Sequence, residues 1–181
     1  MEGSQKELVF SRKVVEMITV ANEFCLFIEE NTKYETIQIL AYLERVIPLL
    51  YLKGSLLPSI EITDENANER FVTEEQWEIY FNQLKKKFGK IDSFYSNEST
   101  HKDKCTRYSL ADIIVDIYQD MKDFILLYER NTMVARENAV NNCKYLFETR
   151  WGYRAIRAMQ AIHYILYGDN PLNGLPGYLN N

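Results

Sequence analysis

The sequence predicts an all-α protein, an irregular bundle of five or six helices. Three observations lead there. Glycine and proline are scarce, with seven and four in 181 residues, which leaves little material for the tight turns of an all-β fold. Apolar residues recur at steps of four and three through most of the chain, the spacing of one helix face. The polar stretches between these runs carry helix-capping residues. Apolar residues at 46% and charged residues at 26% match an ordinary globular mix, so one core is expected. Residues 1–181 are read as a single helical domain with polar loops at about 54–72 and 92–108 and an irregular tail over 169–181.

Phe10, Val14, Met17, Ala21, Phe24 and Ile28 predict a first helix over residues 7–31. Ile18 and Cys25 widen its stripe, which favours packing inside a bundle over a two-stranded homodimer seam. A second helix over 34–53 carries Ile37, Ile39, Leu40, Leu43, Val46, Ile47 and Leu50 nearly all round, so a central position is expected, with a kink at Pro48. Gly54, Pro58, Asp64, Glu65, Asn66, Asn68 and Glu69 then mark a polar connection.

Thr73 and Gln76 form a T-x-x-Q capping box for a third helix with Trp77, Phe81, Leu84, Phe88 and Ile91 on its apolar side, closing at Gly89. Lys85, Lys86 and Lys87 complement the dipole of its last turn and are read as solvated. Residues 92–108 predict a mobile loop. Ser109 with Asp112 opens a fourth helix whose stripe is Leu110, Ile113, Ile117, Met121, Phe124 and Tyr128. A fifth helical region over 132–167 is too long for a typical globular helix, and a bend is expected near Gly152. Gly168 and Pro171 end it, and Gly174, Pro176 and Gly177 make the tail irregular.

Net charge is −5 with a pI near 5.2, which argues against nucleic acid or an anionic membrane as partner. Cys25, Cys105 and Cys143 are odd in number and widely spaced, fitting a reducing, cytoplasmic setting. The charged N-terminus shows no export signal, and the most apolar stretch, 37–52, is interrupted by Glu44, Arg45 and Pro48 and is too short to span a bilayer. Cys25 and Cys143 read as small core residues, while Cys105 lies beside Lys104 and Arg107.

The one concentration of chemistry is on the fourth and fifth helical regions. Asp112, Asp116 and Asp123 fall on one strip beside the apolar face, with Asp120 between that strip and the core. Such a strip must be solvated, paired with cations or wrapped around a metal. Arg150, Arg154 and Arg157 repeat at the same spacing and could supply the cations. Two outcomes are open. One is an interhelical salt-bridge ladder; the other is a polar groove that, with Tyr118, Trp151, Tyr153 and His163, could hold an anionic small molecule or a divalent ion. Glu75 and Glu78 with Asp116, Asp120 and Asp123 offer carboxylates on two helices for Mg²⁺, the arrangement of an all-α phosphohydrolase. A ferritin-like site is excluded because it needs two E-x-x-H motifs, and of the two histidines only His101 follows a glutamate by three residues. No phosphate-binding loop, dinucleotide fingerprint, nucleophile elbow or zinc-protease motif occurs. His163, within Ala161, Ile162, Tyr164, Ile165 and Leu166, reads as a core histidine.

The run Ser109-Leu110-Ala111-Asp112-Ile113 with Asp116-Ile117-Tyr118-Gln119-Asp120-Met121-Lys122-Asp123-Phe124 resembles a segment of the bacterial domain-of-unknown-function family 5063. Phe147-Glu148-Thr149-Arg150-Trp151-Gly152, followed by Ala158, Ala161 and His163, resembles the same family. The resemblance implies an all-helical protein of gut-type bacteria and brings no activity or catalytic residues with it. Arg150 stands where a histidine is expected before the Trp-Gly pair, which weakens a metal ligand there.

These readings converge on a cytoplasmic protein-interaction or scaffold domain, monomeric or homodimeric, with an unknown protein partner and no evident cofactor. The alternatives are the Mg²⁺-dependent phosphohydrolase and a small-anion binder using Arg154, Arg157 and Trp151.

Overall fold

The computed structural model describes residues 2–64, 67–97 and 105–168. His101, Lys104 and the tail 169–181 lie outside the described residues. The chain is predominantly helical, as expected, and all five predicted regions are helical. Two of them are broken, so among the described residues the order runs through seven α-helices and one small sheet: α1 (Glu2–Val9), α2 (Arg12–Glu29), α3 (Thr36–Ser55), α4 (Glu74–Phe88), β1 (Ser93–Asn97), β2 (Cys105–Ser109), α5 (Leu110–Glu129), α6 (Met133–Leu146) and α7 (Gly152–Tyr167).

The first break corrects the expected 7–31 helix. Ser11 is extended, with φ −62° and ψ 153°, and starts α2 afresh. Phe10 therefore leaves the apolar stripe and is exposed, with its ring edge-on to Tyr128. From Val14 to Ile28 the predicted face is buried. The second helix is helical as read, but it is not central. Ile39, Leu40, Leu43, Val46, Ile47 and Leu50 are buried, whereas Pro48, Leu49 and Leu52 point outward. An apolar residue count overstates burial wherever leucines occupy an outer face.

The central element is α5, which packs against α2, α4, α6 and α7. Its buried set includes Leu110, Ile113, Ile114, Ile117, Met121 and Phe124. Fully burying side chains of this size contributes roughly 1.5–3 kcal/mol each before entropy is counted, so the helices on all sides are tied to this one. Cys25 and Cys143 are buried in the core, and burial pushes both thiols up. Among the described residues no helix is long and apolar enough to cross a membrane.

The predicted 92–108 loop is, at both ends, an antiparallel hairpin, with Phe94 opposite Tyr108 and Ser93 opposite Ser109. Asp92 anchors it: the carboxylate accepts from the Ser109 hydroxyl at 3.0 Å and the Ala111 amide at 2.8 Å. That also supplies a partner to the first turn of α5, where Ser109 accepts from the Asp112 amide. The long fifth region is broken by a π-helical turn, Phe147–Trp151, between α6 and α7. The irregularity ends at Gly152, whose amide donates to the Phe147 carbonyl five residues back. A Cβ there would stand 2.3 Å from that same carbonyl oxygen, so only glycine fits.

Candidate functional site

The acidic strip of α5 meets the arginine row that runs from Arg150 in the π turn into α7, because α5 packs against both. Asp116 is the hub. Its Oδ2 pairs with the Arg154 guanidinium at 2.6 Å, while its Oδ1 accepts from the Trp77 indole of α4 at 3.0 Å and faces Arg150 at 3.8 Å. The same Arg150 reaches Asp120 Oδ2 at 3.4 Å and the Gln119 side-chain carbonyl at 3.5 Å. Asp120 is buried, and this oxygen has a charge contact but no hydrogen bond. Burial, opposed by Arg150, pushes its carboxyl up to about 6.

Asp112 lies one turn nearer the N-terminus of α5. Burial first, then the Asp116 charge, raises its pKa, while Arg154 and Lys85 pull the other way. Arg157 is different from the other two arginines. Its guanidinium sits over the Tyr108 ring at 4.5 Å, and it makes no ion pair among the described residues. Together Tyr108, Asp112 and Ile113 on one side, and Thr149, Arg150, Tyr153, Arg154 and Arg157 on the other, enclose an open cleft of ≈450 Å³.

Several expected members lie elsewhere. Trp151 is fully buried; its indole donates to the Cys143 carbonyl at 3.1 Å, and its ring lies where a Cβ on Gly54 would be 2.2 Å away. It belongs to the core because consecutive residues of a helical turn point to different sides, so Trp151 faces inward where Arg150 faces α5. Asp123 turns to the preceding loop and accepts the Phe71 and Val72 amides at 2.8 and 2.9 Å. The Tyr118 hydroxyl donates to Glu29 on α2 at 2.9 Å, away from the cleft. His163 is exposed rather than in the core, its ring 5.0 Å from that of Tyr167.

The carboxylate set expected for Mg²⁺ does not assemble. Although α4 and α5 are neighbours, Glu75 and Glu78 are exposed, and it is Trp77 between them that reaches Asp116. Among the described residues no group of three or more His, Cys, Asp or Glu side chains could hold a metal ion. Sequence reasoning missed Tyr108 and Thr149 because one lies in the unrecognised hairpin and the other in the π turn; Trp77 was read only as core.

The profile described as domain of unknown function (DUF5063) matches residues 9–168. The chain belongs to the DUF5063 family. Its fold is similar to that of protein BF1032 from Bacteroides fragilis, known from a crystal structure, with a TM-score of 0.81 and 28% identity covering 90% of this chain and 98% of that one. No curated protein matches this DUF5063 chain.

Proposed function

We propose that this chain is a non-covalent binding domain whose ligand presents an anionic group to the cleft at Arg150, Arg154 and Arg157. The observation that supports this is Arg157. It opens on the cleft without a carboxylate partner among the described residues, in a chain whose net charge is −5. Arg150 and Arg154 are already partly neutralised by Asp116 and Asp120, which fixes their planes; Arg157 is fixed by stacking on Tyr108. A carboxylate or phosphate entering here meets donors whose ordering cost is already met, and guanidinium groups bind such groups through paired N–H bonds. Binding is favoured over catalysis because the lining lacks a nucleophile paired with a base. The Thr149 hydroxyl donates to the Tyr145 carbonyl at 2.8 Å, and among the described residues no His or Cys lines the cleft. This reading narrows the interaction role expected from the sequence to a particular surface.

The test is an NMR titration of the arginine Nε–H signals with inorganic phosphate, glutarate and phenyl phosphate. Saturable shifts are expected at Arg157, with dissociation constants on the order of 1 mM, weakened about tenfold in Arg157→Gln. Absence of saturation, or equal binding by the variant, overturns the reading.

A further inference from the structure

The geometry points to a segment of another protein as the ligand, with an acidic side chain seated at Arg157 and apolar side chains laid along the outer face of α7. This rests on the anion-binding reading above and names the class of partner. The cleft is not closed on its α7 side. Tyr153, which lines it, is also the first member of a stripe that continues through Ile156, Gln160, His163, Tyr164 and Tyr167. Steps of three and four keep these residues on one face. Tyr153, Ile156, Tyr164 and Tyr167 are 59%, 45%, 63% and 51% exposed.

From Tyr153 to Tyr167 the stripe runs about 21 Å at 1.5 Å per residue. That is longer than a small molecule confined to the cleft would use, and it matches roughly six residues of extended chain. Its composition is that of a protein contact: tyrosines and an isoleucine beside an arginine, with no Asp, Glu or Lys among its six positions. Charge complementarity sets the register. The six stripe positions hold no Lys or Arg, whereas the cleft end holds Arg154 and Arg157, so an acidic side chain pairs at the arginine end and the apolar residues then fall on the stripe.

The experiment is selection of random peptides of about twelve residues displayed on phage, followed by affinity measurement of the enriched peptides on wild type, Arg157→Gln, Ile156→Glu and Tyr164→Ala. Enrichment of peptides joining Asp or Glu to aromatic or aliphatic residues is expected, with affinity falling about tenfold in each variant. Inorganic phosphate binding, measured in parallel, is expected to fall only in Arg157→Gln. Peptides without acids, binding unchanged in both stripe variants, or no enrichment overturns the inference while retained phosphate binding leaves the anion site standing. Self-association of the wild type that Ile156→Glu abolishes, with no peptide selected, assigns the stripe to a second copy and also overturns it. If phosphate fails to bind as well, the anion-binding reading falls with it. The three side chains are exposed or half-buried, and an unchanged unfolding midpoint verifies each variant's fold.

Discussion

Arg150 and Trp151 are adjacent in sequence and occupy opposite surroundings. On the core side of the π turn, Trp151 is fully buried between Gly54 and Phe147, in a space with no room for one more carbon. On the cleft side, Arg150 keeps part of its surface in water and balances Asp116 against Asp120 at 3.8 and 3.4 Å. One side is specified by shape and the other by charge. Packing thus holds the π turn in place and leaves the charged side adjustable.

The largest way to break this contrast is Trp151→Ala, expected to cost about 3–5 kcal/mol, because a fully packed aromatic leaves a cavity. Chemical denaturation checks it, and a loss under about 1 kcal/mol would show that the core side is not rigid. Next is Asp120. Burial lifts its folded pKa from 3.8 to about 6, so the folded protein binds more protons than the unfolded chain between those values. Its contribution is therefore present below about pH 4 and is lost as pH rises to about 6, a change on the order of 3 kcal/mol. Asp120→Asn mimics the neutral form, so its stability relative to wild type is expected to rise across that window. A pH-independent difference in midpoint would show that the carboxyl is not perturbed in this way. Asp112 and Asp123, also raised by burial, act with the same sign in both proteins.

Asp123→Ala sharpens the contrast within α5 itself. It strips two amides of their acceptor, and a loss of about 2 kcal/mol is expected by denaturant titration, with anion binding unchanged. The smallest stability effect belongs to Arg157→Gln, within about 0.5 kcal/mol of wild type, although it removes the group on which ligand binding rests. A large destabilisation there would return Arg157 to a structural role.

The helices were legible because burial imposes a spacing, and the T-x-x-Q box at Thr73 and Gln76 forms as its sequence implies. The Asp and Arg rows were legible for the same reason, since steps of three and four return to one face whatever the residues do there. What each carboxylate does was not. Asp123 meets loop amides and Asp120 meets a guanidinium, yet both sit three residues apart on one helix, and their partners come from segments distant in sequence. The hairpin was hidden because Ser, Asn and Thr make up half of its strands, and polar residues on a two-stranded sheet look like a loop. His163 was misplaced because its apolar neighbours straddle two faces, so the local run gave no phase. The break at Ser11 had a signal, a serine able to open a helix, that the continuous apolar spacing obscured.

The π turn also acts as a spacer. An α-helix advances about 100° per residue, and a π turn holds one residue more than an α turn. Deleting a single residue between 147 and 151 would let the backbone close into ordinary α-helix with α7 still in its present phase, because the turn already takes up the surplus residue. A deletion later, inside α7, has no such turn to take it up and would rotate everything beyond it by about 100°. The turn is thus the place where the chain tolerates a one-residue change in length while Arg154, Arg157 and the tyrosine stripe keep their facing.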